Sequence, residues 1–182
     1  MGDIRQIPPA LLIVAVSSRY DDALEWAEQT CVTEYGSLAA KSEAFAFTET
    51  SYYESTMGTD LKKQFLAFEE LVDPAILPGI KRRTNQMEAE YAQSVAVPEV
   101  RPLNLDPGYI CESKLILAST KDHSHRIYLH DGIFAEITLQ FKAKRWQLLP
   151  WTYPDYQRAD FHDFFMHCRR SLRMKLQPPE TF

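Results

Sequence analysis

The stretch Arg126–Ile127–Tyr128–Leu129–His130–Asp131–Gly132–Ile133–Phe134–Ala135–Glu136–Ile137–Thr138–Leu139–Gln140–Phe141 reads as two strands around a tight turn. Asp–Gly is a residue pair that accepts the left-handed backbone of a two-residue hairpin turn, and the flanking runs are β-branched and aromatic. The turn predicts a register. With His130 opposite Ile133, opposed residue numbers keep one sum down the ladder, and opposed residues share a face. Arg126, Tyr128 and His130 then lie with Ile137, Ala135 and Ile133. The other face pairs Ile127 with Glu136, Leu129 with Phe134, His125 with Thr138 and His123 with Gln140. Glu136 sits between apolar neighbours and needs a partner there. His125, diagonal to it, is the expected one, with Arg126 pointing the opposite way.

Upstream, Leu11–Val16 is a short apolar, β-branched run and reads as a buried strand. Asp21 can cap a helix that carries Leu24, Ala27, Cys31 and Tyr35 at helical spacing and stops at Gly36. Ser42–Thr50 alternates like a strand. Leu61–Val72 fits either strand or helix, and the breaks Asp73–Pro74 and Pro78–Gly79 favour a strand. A helix from about Gly79 to Ala92 follows, then a strand over Arg101–Asp106 ended by a turn at Asp106–Pro107–Gly108. Lys114–Thr120 is open between helix and strand. Beyond the hairpin come a proline-punctuated aromatic segment, Trp146–Pro154, and a helix with Phe161, Phe164, Phe165, Cys168 and Leu172 on one stripe. This order predicts an α+β fold, a ferredoxin-like βαββαβ core extended by a C-terminal β-hairpin and helix. An open, doubly wound sheet is the alternative. Residues 1–9 are expected to be a flexible leader, 10–176 a single domain and 177–182 a tail.

The chain has 182 residues, 45% of them apolar and 25% charged, which suits one folded domain. Its net charge of −5 argues against a protein built to hold duplex DNA. The local excess of cations in Gln157–Leu176 fits the C-terminal end of a helix. The three cysteines are far apart and form no Cys-x-x-Cys pair. The longest apolar run is too short to cross a bilayer, and no cleavage site follows it. A cytoplasmic location away from membranes is the expectation.

Phosphate loops, dinucleotide-binding glycine turns, nucleophile elbows and His-Glu-x-x-His helices are all missing from the sequence. The densest polar run, Lys121–Asp122–His123–Ser124–His125–Arg126, enters the hairpin. It admits several chemistries. Lys121, His123, His125 and Arg126 suit a phosphate or carboxylate, with Arg126 as a two-pronged donor and Asp122 beside them in the same candidate ligand site. His125 with Glu136 suits acid–base work in a small hydrolase or transferase. Two histidines and a carboxylate suit a metal, whose identity and presence the sequence leaves unknown. The plain alternative is the solvent side of a hairpin. Asn104 and Asp106 stand at a strand end, where ligands of α/β sheets often bind. Tyr52, Tyr53 and Trp151 offer surfaces for stacking. Thr84, Asn85 and Glu88 read as the solvated face of the second helix. The first functional expectation is a binding module for a phosphate-bearing ligand, a nucleotide or single-stranded RNA. The alternatives are the His125/Glu136 enzyme and a protein-interaction domain.

The runs Asn104–Tyr109, Leu117–Leu129 and Leu149–Tyr156, with Tyr52–Tyr53, Met57–Gly58, Thr84–Asn85 and Glu88, resemble the uncharacterised bacterial family known as domain of unknown function 4416 (DUF4416). The resemblance extends from about Leu11 to about Leu172. It implies no reaction, cofactor or catalytic residue.

Overall fold

The computed structural model describes residues 3–4, 6–49 and 52–177. Its centre is strand β1, Ala10–Ser18, buried at all nine positions. A strand without polar alternation must be covered on both faces, and this one is. Leu11, Ile13 and Ala15 pack beneath helix α4, Ala159–Leu176, whose stripe of Phe161, Phe165, Cys168 and Leu172 the sequence anticipates. Leu12, Val14 and Val16 face helices α1, Asp21–Tyr35, and α3, Leu77–Ser94. Each fully buried Leu, Ile or Phe in these two cores contributes roughly 1.5–3 kcal/mol.

The remaining elements are β2 (Leu38–Lys41), β3 (Phe45–Ala46), the short helix α2 (Glu54–Met57), β4 (Lys62–Val72), β5 (Asn104–Ile110), β6 (Lys114–Ser119), β7 (Ile127–His130), β8 (Ile133–Lys142) and β9 (Arg145–Leu148). The protein is a mixed α/β structure with one large antiparallel sheet, nine strands and four α-helices among the described residues. The strand order is β2-β4-β1-β5-β6-β8-β7, with β3 beside β4 and β9 beside β8. Both undecided segments, 61–72 and 114–120, are strand over Lys62–Val72 and Lys114–Ser119. Of the leader and tail, residues 1, 2, 5 and 178–182 lie outside the described residues.

Four local readings need correction. Ser42–Thr50 is not one strand: among its described residues only Phe45–Ala46 (β3) is strand, set off from β2 by residues 42–44, where the Ser42 hydroxyl accepts from the Phe65 amide at 2.8 Å. The end of that segment, Thr50, lies outside the described residues. Tyr20, not Asp21, precedes α1, and no side chain caps it. Asp106–Pro107–Gly108 is no turn, because β5 runs straight through it against β1. Arg145–Leu148 is a strand. Its hairpin turn, Ala143–Lys144, holds both residues at positive φ, 52° and 62°, without a glycine or asparagine to announce it. A left-handed L-residue costs about 1 kcal/mol, so Lys144→Gly is expected to stabilise the fold by about that much in urea unfolding.

The hairpin forms where predicted, with Asp131 and Gly132 at φ 54° and 75°. Its register differs by one residue. Leu129 is bulged out between the pairs Tyr128↔Phe134 and His130↔Ile133, so Ile127 faces Ala135 and not Glu136. A one-residue slip exchanges the faces of everything beyond it. Arg126 therefore lands against Glu136.

One further irregularity positions the site. β5 pairs with β1 along its whole length but with β6 only from Gly108↔Leu117 to Ile110↔Leu115. β6 meanwhile stays paired with β8 up to Ser119. Below Gly108 the sheet splits, with Asn104–Pro107 on one side and Ala118–Ser119 on the other. Pro107, which has no N–H to donate, sits where the ladder to β6 has ended.

Candidate functional site

A cavity of about 460 Å³ opens at this split. That lies within the size range of small-ligand sites. The cross-strand rows place its polar groups. Lys63 of β4 and Asn104 of β5 both stand opposite Ser17 of β1. In the next row Phe65 and Asp106 flank Ala15. Helix α4 covers the far end of this face through Leu11 and Ile13, leaving the Ser17 end to be walled by other segments. Phe47, Tyr52 and Tyr53 come from the segment before α2, Tyr153, Asp155 and Tyr156 from the one before α4, and Lys121, His123 and Arg126 from the β6–β7 connection.

Buried charges at the cavity are paired. Lys63 donates to Asp155 at 2.5 Å, with both side chains 6% exposed. The same ammonium lies 4.1 Å from the centroid of the Phe47 ring. Lys81 of α3 reaches Asp106 at 3.0 Å and the Leu105 carbonyl at 2.9 Å. Asn104 donates to the other Asp106 oxygen at 2.7 Å. Arg101 is held by Glu88 at 2.8 Å and by the Asn104 side chain, while Glu88 also accepts from the Leu105 amide at 2.7 Å.

Burial raises the Asp106 carboxyl, but Lys81, Asn104 and Lys63 outweigh it and hold the group down at about 2. A carboxyl whose folded value is depressed stabilises the fold above its ordinary titration, near pH 4, and loses that contribution as pH falls toward 2. The loss amounts to about 2 kcal/mol. The difference in unfolding free energy between the protein and Asp106→Asn is expected to shrink by that amount across this window. Glu88 works in the opposite sense, since burial raises its carboxyl.

Arg126 closes the β8 side. Its Nε donates to Glu136 Oε2 at 2.8 Å, Nη1 to Ser119 Oγ at 2.7 Å and the Lys121 carbonyl at 2.9 Å, and Nη2 to the Tyr153 hydroxyl at 2.5 Å. The guanidinium is therefore spent inside the protein as a clamp, and little of its donor fork remains for a ligand. Lys121 differs from the other cations. Its ammonium donates to the Tyr52 hydroxyl at 2.6 Å, a neutral partner, and both groups lie at the exposed mouth. That hydrogen bond lowers the Tyr52 phenol below its usual range.

His125 Nε2 stands 3.3 Å from Glu136 Oε2, so the two anticipated residues do meet. The same oxygen already accepts from Arg126, and Oε1 accepts from Thr138 at 3.2 Å. A carboxylate neutralised by a guanidinium is a weak orienting partner for a base. His125 also lies outside the cavity lining, stacked between His123, at 5.7 Å, and Trp151, at 5.3 Å. Trp151 donates its indole N–H to the Ile137 carbonyl at 2.8 Å and does not line the cavity. Asp122 is exposed and also lies outside it, while Gln140 is a surface residue. No group of three or more His, Cys, Asp or Glu side chains among the described residues is placed to hold a metal.

Of the sequence candidates, Lys121, His123, Arg126, Asn104, Asp106, Tyr52, Tyr53 and Glu136 all line the cavity. Thr84 and Glu88 are not a solvated face: Thr84 is fully buried and Glu88 binds Arg101. Sequence reading missed Lys63, Lys81, Arg101 and Asp155. A signal was present for two of them. Lys63 precedes Phe65 and Ala67 at strand spacing, and Lys81 follows Leu77 at helical spacing, so both are charges at inward positions.

Fold and site together define a mixed α/β protein whose antiparallel sheet splits to admit a polar, aromatic-walled cavity. A family model described as "Domain of unknown function (DUF4416)" matches residues 8–172, and the chain belongs to that family. No curated protein and no solved structure matches the chain significantly.

Proposed function

We propose that this protein is a binding module for a small phosphate-bearing molecule, held in the cavity between β5 and β6. The observation that carries the reading is the composition of the mouth. Lys121 and His123 stand there, and the Lys121 ammonium is tied to a phenol and not to a carboxylate. An incoming phosphate gains a cation without having to displace an anion. A recess of about 460 Å³ favours a small ligand over single-stranded RNA, which needs a long groove that tracks a backbone.

Thermal shift against nucleoside monophosphates, sugar phosphates and pyrophosphate tests the reading. At least one compound is expected to raise Tm at millimolar concentration, and Lys121→Met to weaken its binding about tenfold. Absence of any shift across the panel contradicts it.

The hydrolase or transferase reading rests on the 3.3 Å approach of His125 to Glu136, and the competing Arg126 contact weighs against it. The interaction-domain reading draws on the edge strand β7, which exposes Ile127 and Tyr128. An open, apolar strand edge is a surface for strand addition.

The arrangement β2-β4-β1-β5, with β4 between the strands of the first β–α–β unit and α1 and α3 on one face, supports a ferredoxin-like core to which β6–β9 and α4 are added. Three free cysteines support a cytoplasmic location. No described helix is long and apolar enough to cross a membrane.

A further inference from the structure

The cavity has two chemically different ends. Its β6 end holds Lys121 and His123. Its β4 end holds the Lys63–Asp155 pair, with the Lys63 ammonium near the rings of Phe47 and Tyr156. β4 and β6 are separated by β1 and β5, three inter-strand steps or at least about 14 Å from backbone to backbone. A ligand that fills the cavity must therefore satisfy both ends at once.

The β4 end is matched to a particular edge. Lys63 is a donor only, and the Asp155 carboxylate an acceptor only, fixed side by side at 2.5 Å. Their charges cancel, so the pair selects a neutral group over an ion. A donor beside an acceptor is complementary to a neighbouring acceptor and donor, a ring C=O beside an N–H or a ring nitrogen beside an amino group. The ammonium stands 4.1 Å over the Phe47 ring, so a plane through it parallel to that ring lies close to aromatic stacking height. Tyr156 adds a second ring at 5.2 Å from the ammonium, and its buried hydroxyl has no hydrogen-bond partner among the described residues.

We infer that the β4 end of the cavity takes a planar heterocycle through an edge that sets a hydrogen-bond acceptor beside a donor, read by Lys63 and Asp155 against Phe47. This rests on the proposed phosphate reading, which supplies the group held at Lys121. The ligand class is then a nucleotide of monophosphate size.

Calorimetric titration of the full chain separates the two claims without any variant. Inosine 5′-monophosphate is expected to bind at least about tenfold tighter than 1-methylinosine 5′-monophosphate, which keeps the ring and the phosphate but lacks the N–H that donates to Asp155. 3-Methyluridine 5′-monophosphate is expected to lose about as much against uridine 5′-monophosphate. Equal binding of each nucleotide and its N-methylated form overturns the edge and leaves the phosphate reading standing. Ribose 5-phosphate binding as tightly as inosine monophosphate does the same. Inosine binding as tightly as its monophosphate overturns the phosphate reading and leaves the edge in place. No binding of any probe at millimolar concentration overturns both. Phe47→Leu, which keeps the ion pair, is expected to weaken inosine monophosphate severalfold and ribose 5-phosphate not at all.

Discussion

Arg126→Met is expected to destabilise the fold by about 3–5 kcal/mol, because it leaves the Glu136 carboxylate buried without its counter-charge. Glu136 is 1% exposed at its side chain, and Arg126 2%. The arginine also ties four segments together, donating to β6, to the Lys121 carbonyl, to β8 and to Tyr153. Its loss frees the loop that carries Lys121 as well as the strand beneath. Adding Glu136→Gln to Arg126→Met removes the orphaned charge and is expected to recover about 2 kcal/mol. Urea unfolding of the four species of this cycle gives the coupling directly. Additive effects would show that the pair is not the unit described.

Gly108→Ala is expected to cost at least about 3 kcal/mol and to leave little folded protein. A Cβ at this position would lie 2.1 Å from the Ile116 carbonyl oxygen and 2.7 Å from Leu117 Cδ2. The first neighbour is backbone, so relief requires β5 and β6 to part. Gly108 is the last β5 residue in that ladder before the split. The glycine allows the two strands to approach closely there and to diverge immediately below. The same substitution at Gly132 meets no neighbour, although its φ of 75° keeps it strained. Its cost is expected to be about 1 kcal/mol, which makes it a control for the clash.

The elements that depend on local pattern were legible in the sequence. β1 announces itself by an unbroken apolar run, α4 by its aromatic stripe, and the β7–β8 turn by Asp131–Gly132. Features set by a neighbouring strand were not. Nothing in Tyr128–Leu129–His130 signals a bulge, yet the bulge decides that Arg126, and not His125, is the main partner of Glu136. Asp106–Pro107–Gly108 has the composition of a turn, and pairing with β1, joined by β6 at Gly108, holds it extended. The site was half visible for the same reason. The run Lys121–Arg126 drew attention by density, while Lys63, Lys81 and Asp155 come from three distant segments that meet only after the sheet forms. Trp151, expected as a stacking surface for a ligand, lies outside the cavity lining. Its indole instead stacks on His125 and binds the Ile137 carbonyl.

The most direct test of the site is a titration of inosine 5′-monophosphate into 15N-labelled protein, followed by amide shifts. Binding in the β5–β6 split predicts that Lys121, His123, Asn104, Asp106, Tyr53 and Asp155 move together with one dissociation constant, and that Ile127–His130 stay in place. Shifts confined to Ile127–His130 or to the His125–Trp151 stack, with Asn104 and Asp155 unmoved, would contradict it.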